Sequence, residues 1–299
     1  MTTTMTGRPS VTATEATRIA RPRRTRRSWR MPNFLGGFGA LLWLVFVGFP
    51  LYLLLSTSLR DEGSYLTDGP MSLPRDPGLE NYRLVLDSDF LHYMANTAIV
   101  TVASVAIVEV LTVPAAYAIV RSRSRLVRFG FSTMLAGLAI PAQAVIVPLY
   151  LMATRLHVYD TLLAIILPTA AFALPLSIIV LTSTMRDIPG ELYEAMSIDG
   201  ASPARVLREL VLPLSRPGMV TIGIYSALGA WNGFLFPLVL TQSSSSKVLT
   251  LGLWDFQTQY GTDVPATTAA VTLSLLPVLV LYLLGRRHLL NGLTAGFGK

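Results

Sequence analysis

The chain contains no cysteine, three histidines and few charges. Without thiols there can be no disulfide framework, no cysteine-ligated zinc or iron–sulfur centre and no thiol nucleophile. His92, His157 and His288 are far apart and form no metal-spaced pair, so neither a metal ligand nor a catalytic residue is assigned, and no cofactor is expected. Charged residues make up 14% of the 299 residues, against about 25% for an ordinary soluble domain. Hydrophobic residues make up 52%, and the mean hydropathy is +0.54. That deficit of charge leaves too little polar surface to face water. The class is a membrane protein.

A run of about 20 apolar residues crosses a bilayer as a helix. Six such runs are predicted: 34–55, 98–120, 129–153, 162–181, 220–240 and 266–284. Five contain no Asp, Glu, Lys or Arg, and the second contains Glu109 alone. The remaining charge gives the orientation, since Lys and Arg stay on the cytoplasmic side. The N-terminal tail carries eight arginines, from Arg8 to Arg30. Arg121, Arg123, Arg125 and Arg128 follow the second run, Arg186, Arg205, Arg208 and Arg216 the fourth, and Arg286, Arg287 and Lys299 the sixth. The opposite loops hold only Arg60, Arg75, Arg83, Arg155 and Lys247. Both termini are therefore expected in the cytoplasm.

Residues 1–33 read as a basic, disordered cytoplasmic tail, 34–285 as the membrane domain and 286–299 as a second cytoplasmic tail. The Arg-rich run Arg21–Arg30 lies directly before a span, where basic clusters set topology and touch anionic lipid, so no nucleic-acid partner is expected. The outer segment 56–97 is acidic and broken by Pro70, Pro74 and Pro77, and is expected to form a small folded cap. Prolines within or beside the runs (Pro50, Pro114, Pro141, Pro148, Pro168, Pro175, Pro237 and Pro277) remove helix donors and imply kinked rods.

The loop 185–217 is the most informative part. Pro189 suits a first helical position and Glu191 sets a negative charge in the first turn. Asp199-Gly200 signals a turn, and Ser202 can cap a second short helix begun by Pro203. An isolated helix this short is marginal in water and needs a surface to pack on. From the residues alone, its own bundle and a partner protein are equally good candidates.

Glu194-Ala195, Gly200 six residues later and Leu212-Pro213 beyond it match the E-A-A-x(3)-G-x(9)-I-x-L-P signature. Met196 and Leu210 depart from it conservatively. With these residues the chain resembles the inner-membrane permeases of binding-protein-dependent ATP-binding-cassette (ABC) importers. Asn81-Tyr82, Asn96-Thr97, Ala116-Tyr117-Ala118, Trp231-Asn232 with Phe236-Pro237-Leu238, and Gly292-Leu293-Thr294-Ala295-Gly296 are similar to the carbohydrate branch, of the maltose permease G type. Gly233 stands where that branch often has Glu.

The resemblance implies an all-α membrane protein with six transmembrane helices of the type I ABC importer permease fold. It implies that Glu194, Ala195, Asp199, Gly200, Leu212 and Pro213 couple to an ABC ATPase dimer, which carries out hydrolysis. It also implies a second homologous permease subunit, completing a heterodimeric pore, and an extracytoplasmic sugar-binding protein. For the substrate path, Tyr225, Trp231, Asn232 and Phe234 offer aromatic faces and hydrogen bonds, although each also suits an interface or a neighbouring helix. Glu109, costly in mid-bilayer, should face the interior or a cavity. It could line the path, bond a helix or partner, or couple protons. The competing function is an ion-gradient-driven secondary transporter.

Overall fold

The computed structural model describes residues 34–258 and 261–297, so the expected N-terminal tail, 1–33, lies outside the described residues. The chain divides into two units, residues 1–48 and 49–299. The first contributes the start of helix α1 (Phe34–Ser58), whose side chains from Phe38 to Phe46 include a near-continuous exposed apolar run. The second unit holds all the elements that follow.

Its centre is three long helices, α4 (Phe90–Arg121), α7 (Leu162–Arg186) and α10 (Leu212–Trp231), which pack on one another. The polarity of α4 is reversed relative to a water-soluble helix. Thr97, Thr101, Ser104 and Thr112 are buried, whereas Ile99, Val102, Val110 and Leu111 are exposed. Small and hydroxylated residues let helix backbones approach closely, and the large apolar ones face hydrocarbon. The same logic applies where α10 crosses α7. A Cβ at Gly218 would lie 2.7 Å from Thr184 Oγ1, so only glycine permits this approach.

Three expected runs have a different outline. Run 129–153 is two helices, α5 (Arg125–Gly137) and α6 (Ile146–Arg155) with a leading 3-10 turn, bent by 98°. Pro141, which has no N–H, sits at the bend. Run 220–240 breaks at 232–234 into α10 and α11 (Leu235–Leu240). A Cβ at Gly233 would lie 3.1 Å from the Ala230 carbonyl, while Thr250 Oγ1 donates to the Gly233 carbonyl at 2.7 Å. The last helix, α13 (Val264–Phe297), continues without a break beyond the expected end of the sixth run.

The segment between α1 and α4, expected on the outer side, is folded. It contains α2 (Glu62–Asp68) and α3 (Glu80–Asp87) around the guanidinium of Arg60, which is 1% exposed and donates to the carbonyls of Ser64, Gly69 and Ser72. Asn81 Nδ2 donates to the Ser58 and Arg60 carbonyls at 2.9 and 2.7 Å, and Tyr82 Oη pairs with Ser58 Oγ. A two-residue antiparallel ribbon, β1 (Gln257–Thr258) with β2 (Gly261–Thr262), follows α12 (Leu249–Gly252).

Candidate functional site: an exposed helix and an apolar cavity

The loop 185–217 forms α8 (Gly190–Ile198), a turn, α9 (Pro203–Val206) and a π-helical segment, Leu207–Val211, that runs directly into α10. Pro189 is the residue before α8 rather than its first residue, held at φ −55 and ψ 135. Gly200 takes φ +70, and the Ala201 N–H reaches back to the Met196 carbonyl at 3.0 Å. Ser202 caps α9 by accepting from the Arg205 N–H, with Pro203 first in the helix. The second helix, expected from the sequence to be short, is not. The π segment makes it one continuous helix with α10, because Leu212 N–H bonds the Leu207 carbonyl five residues back.

One face of α8 is fixed to the bundle. Tyr193, 3% exposed, packs with Leu181 and Met185 of α7, Val206 of α9 and Val211. Met196 packs against the same cluster. The Arg121 guanidinium, at the end of α4, lies 4.6 Å from the centre of the Tyr193 ring. Burial pushes the Tyr193 phenol above its usual range, and Arg121 opposes that shift.

The other face is uncovered. Glu191, Leu192, Glu194 and Ala195 are exposed, and Ile198 is 86% exposed at the tip beside Asp199 and Gly200. The structure therefore gathers Glu194, Ala195, Asp199 and Gly200 into one outward-facing end. Leu212 and Pro213 lie apart from it, at the root of α10. Leu212 packs on the bundle core and Pro213 is exposed.

A second feature is an apolar cavity of about 700 Å³ among α4, α10 and α13. Glu109 and Trp231 line it, together with Thr101, Gly223, Ala227 and Pro277. A Cβ at Gly223 would lie 3.1 Å from Glu109 Oε1, so the glycine makes room for the carboxyl group. Glu109 Oε2 is buried and has no hydrogen-bond partner among the described residues. Of the other expected path residues, Tyr225 is exposed outside the cavity lining. Asn232 donates to the Leu228 carbonyl at 2.9 Å, and the Phe234 ring sits 5.5 Å from that of Trp254. Glu109 and Trp231 are thus brought together, and the other three are not.

The loop 241–249 is pinned at two places. The Asp160 carboxylate accepts the Gln242 and Ser243 N–H groups at 2.8 and 3.0 Å, and these bonds hold its pKa below the ordinary value. Asn96 Nδ2 donates to the Ser245 and Lys247 carbonyls, and Thr97 Oγ1 accepts the Leu249 N–H. Sequence reasoning passed over Asp160, Gly223, Tyr193 and Arg121. Gly223 carries no signal of its own, because its place opposite Glu109 depends on how α10 packs on α4. Asp160 carries none, because its positive φ of +58 is set by the fold.

The chain is 34% identical over 259 residues to the diacetylchitobiose uptake system permease protein NgcG of Streptomyces coelicolor, covering 86% of this chain and 85% of that one. It is 31% identical over 250 residues to the sulfoquinovosyl glycerol transport system permease protein SmoH of Agrobacterium fabrum, covering 83% and 87%. In fold it is similar to a chain in the crystal structure of a bacterial ABC transporter involved in import of the acidic polysaccharide alginate. There the TM-score is 0.74 with 24% identity, over 86% of this chain and 96% of that one. Residues 110–293 match the family profile described as the binding-protein-dependent transport system inner membrane component, and the chain belongs to that family of multi-pass cell-membrane permeases.

Proposed function

We propose that this chain is the transmembrane permease subunit of an ATP-driven importer for a sugar or oligosaccharide, coupled to a separate ATPase through the outward end of α8. The observation that carries the reading is the division of α8 into two faces. Tyr193 and Met196 fix it to the bundle, while Leu192, Ala195 and Ile198 present apolar surface beside Glu194. A short helix held so firmly and left uncovered is suited to receive a partner's motion. The partners are an ABC ATPase dimer, a second permease completing the pore and an extracytoplasmic sugar-binding protein, and hydrolysis belongs to the ATPase.

Carbohydrate as the cargo follows from the branch-type motifs and from the named substrates of NgcG and SmoH. Six spans with both termini in the cytoplasm agree with the distribution of arginine. The bent pair α5–α6 counts as one span and α10–α11 as another. Glu109 and Trp231 then line the path, while Tyr225, Asn232 and Phe234 serve at its margins.

The test is purification of the tagged chain from its native membrane in mild detergent, followed by mass spectrometry of what accompanies it. An ABC ATPase, a second permease and a binding protein are expected with the wild type. The double variant Glu194→Ala/Gly200→Ala should lose about tenfold or more of the ATPase, the scale of an interface hot spot. A chain that reproducibly purifies alone, with uptake driven by an ion gradient, overturns the reading.

A further inference from the structure

The uncovered face of α8 says where force enters; the covered face bears on where it goes. Tyr193 is the most enclosed residue of α8, and it shares one core cluster with residues of three long helices: Val113 and Ala116 of α4, Leu181 and Met185 of α7, and Ile222 of α10. In the same cluster, Val206 precedes the π segment from which α10 rises and Val211 is that segment's last residue. Arg121, the last residue of α4, covers the ring from the third side at 4.6 Å. The phenol oxygen is buried without a hydrogen-bond partner among the described residues, so it is the ring and not the hydroxyl that is used here.

We infer that Tyr193 is a positioning residue for transport: its ring, clamped by Arg121, transmits displacement of α8 to α4 and α10 together. The inference rests on the reading of α8 as the ATPase-facing helix and adds the route from that helix into the bundle. A cation over an aromatic face is an electrostatic contact that survives sliding and rotation better than a directional hydrogen bond does, which suits a joint. The adjoining π segment offers the compliance, since a π-helical turn can shift register where a regular helix resists. The surrounding space agrees: a cavity of about 350 Å³ opens beside the ring, lined by Tyr117, Arg121, Ser122 and Ser197. The joint therefore has room to move.

The experiment uses the complete transporter, co-purified with its ATPase, second permease and binding protein and reconstituted in proteoliposomes. Tyr193→Phe should retain uptake, because the hydroxyl is unpartnered. Tyr193→Leu should keep the ATPase bound and its basal hydrolysis intact, while uptake falls about tenfold. Arg121→Gln, an exposed change that leaves the core packed, should act in the same direction, with Arg121→Lys partly restoring uptake. The Arg121→Gln/Tyr193→Leu double variant should be no worse than the more impaired single variant. Full uptake by both Tyr193→Leu and Arg121→Gln overturns the inference, and so does loss of the ATPase from either, which would make the pair part of the docking surface. An Ile198→Asp control separates the two levels: if it retains the ATPase, the underlying reading of α8 falls instead.

Discussion

Glu109 shows how much one residue can mean at mid-bilayer. Its carboxyl group is accommodated by Gly223 and lies in an otherwise apolar cavity, with no titratable partner among the cavity's lining residues. A lone acid without a histidine or arginine nearby makes a poor proton relay, so a lining role is expected to survive loss of the charge. Glu109→Gln should support uptake equally at every pH assayed; a strong pH-dependent loss would restore proton coupling. Gly223→Leu should fill the cavity and press on the carboxyl group, and should slow uptake far more than Gly223→Ala. The hydroxyl of Thr112 gives a second check at this scale. It is buried without a partner among the described residues, so Thr112→Val should change detergent thermal stability by no more than about 0.5 kcal/mol. A variant that is stable yet impaired in uptake would mean that the hydroxyl finds its partner in another conformation.

Among the elements, the turn after α8 is set by backbone geometry. Gly200 is at φ +70 with nothing within 4 Å of where a Cβ would stand, so any penalty there is conformational and not steric crowding. Gly200→Val should destabilise by about 1–2 kcal/mol, and Gly200→Asn by less, read as melting temperature of the purified complex. The Asp160 clasp carries a pH dependence of known sign. Its carboxylate is stabilised in the folded state, so the contribution to stability is present above the ordinary carboxylate pKa. It is lost as the pH falls through the lowered folded value. Asp160→Asn should remove that acid-side dependence and leave the 241–249 loop more open to limited proteolysis at neutral pH.

At the level of the whole molecule, the long apolar runs and the 185–217 signature were legible because they depend on composition and on proline and glycine chemistry. Proline marked where runs could kink, Pro141 included, but neither the size of a bend nor a full break could be read. Hydropathy counts the residues between Arg125 and Arg155 as one span whether or not the backbone turns through 98° at Pro141. The same blindness hid the interruption at Gly233. Which candidate path residues share the cavity depends on helical phase: Trp231 lines it with Ile224 and Ala227, while Tyr225 and Asn232 each lie one step round the helix. Tyr193 escaped notice because an aromatic between Glu191 and Glu194 looks like surface until α7, α9 and Arg121 close over it. The branch-type pairs Asn81-Tyr82 and Asn96-Thr97 proved to be pins for the outer segments.

The length of α4 joins these scales. Asn96 and Arg121 stand on one helix, about 38 Å apart at about 1.5 Å per residue. One grips the outer loop and the other grips Tyr193. If Tyr193 transmits motion as inferred above, α4 makes both grips parts of a single lever, and levers work in both directions. Cutting the outer grip with Asn96→Ala should alter hydrolysis by an ATPase bound on the far side of the membrane. Cutting the inner grip should alter how tightly the binding protein holds the outside, and by linkage Asn96→Ala should shift the affinity for the ATPase as well.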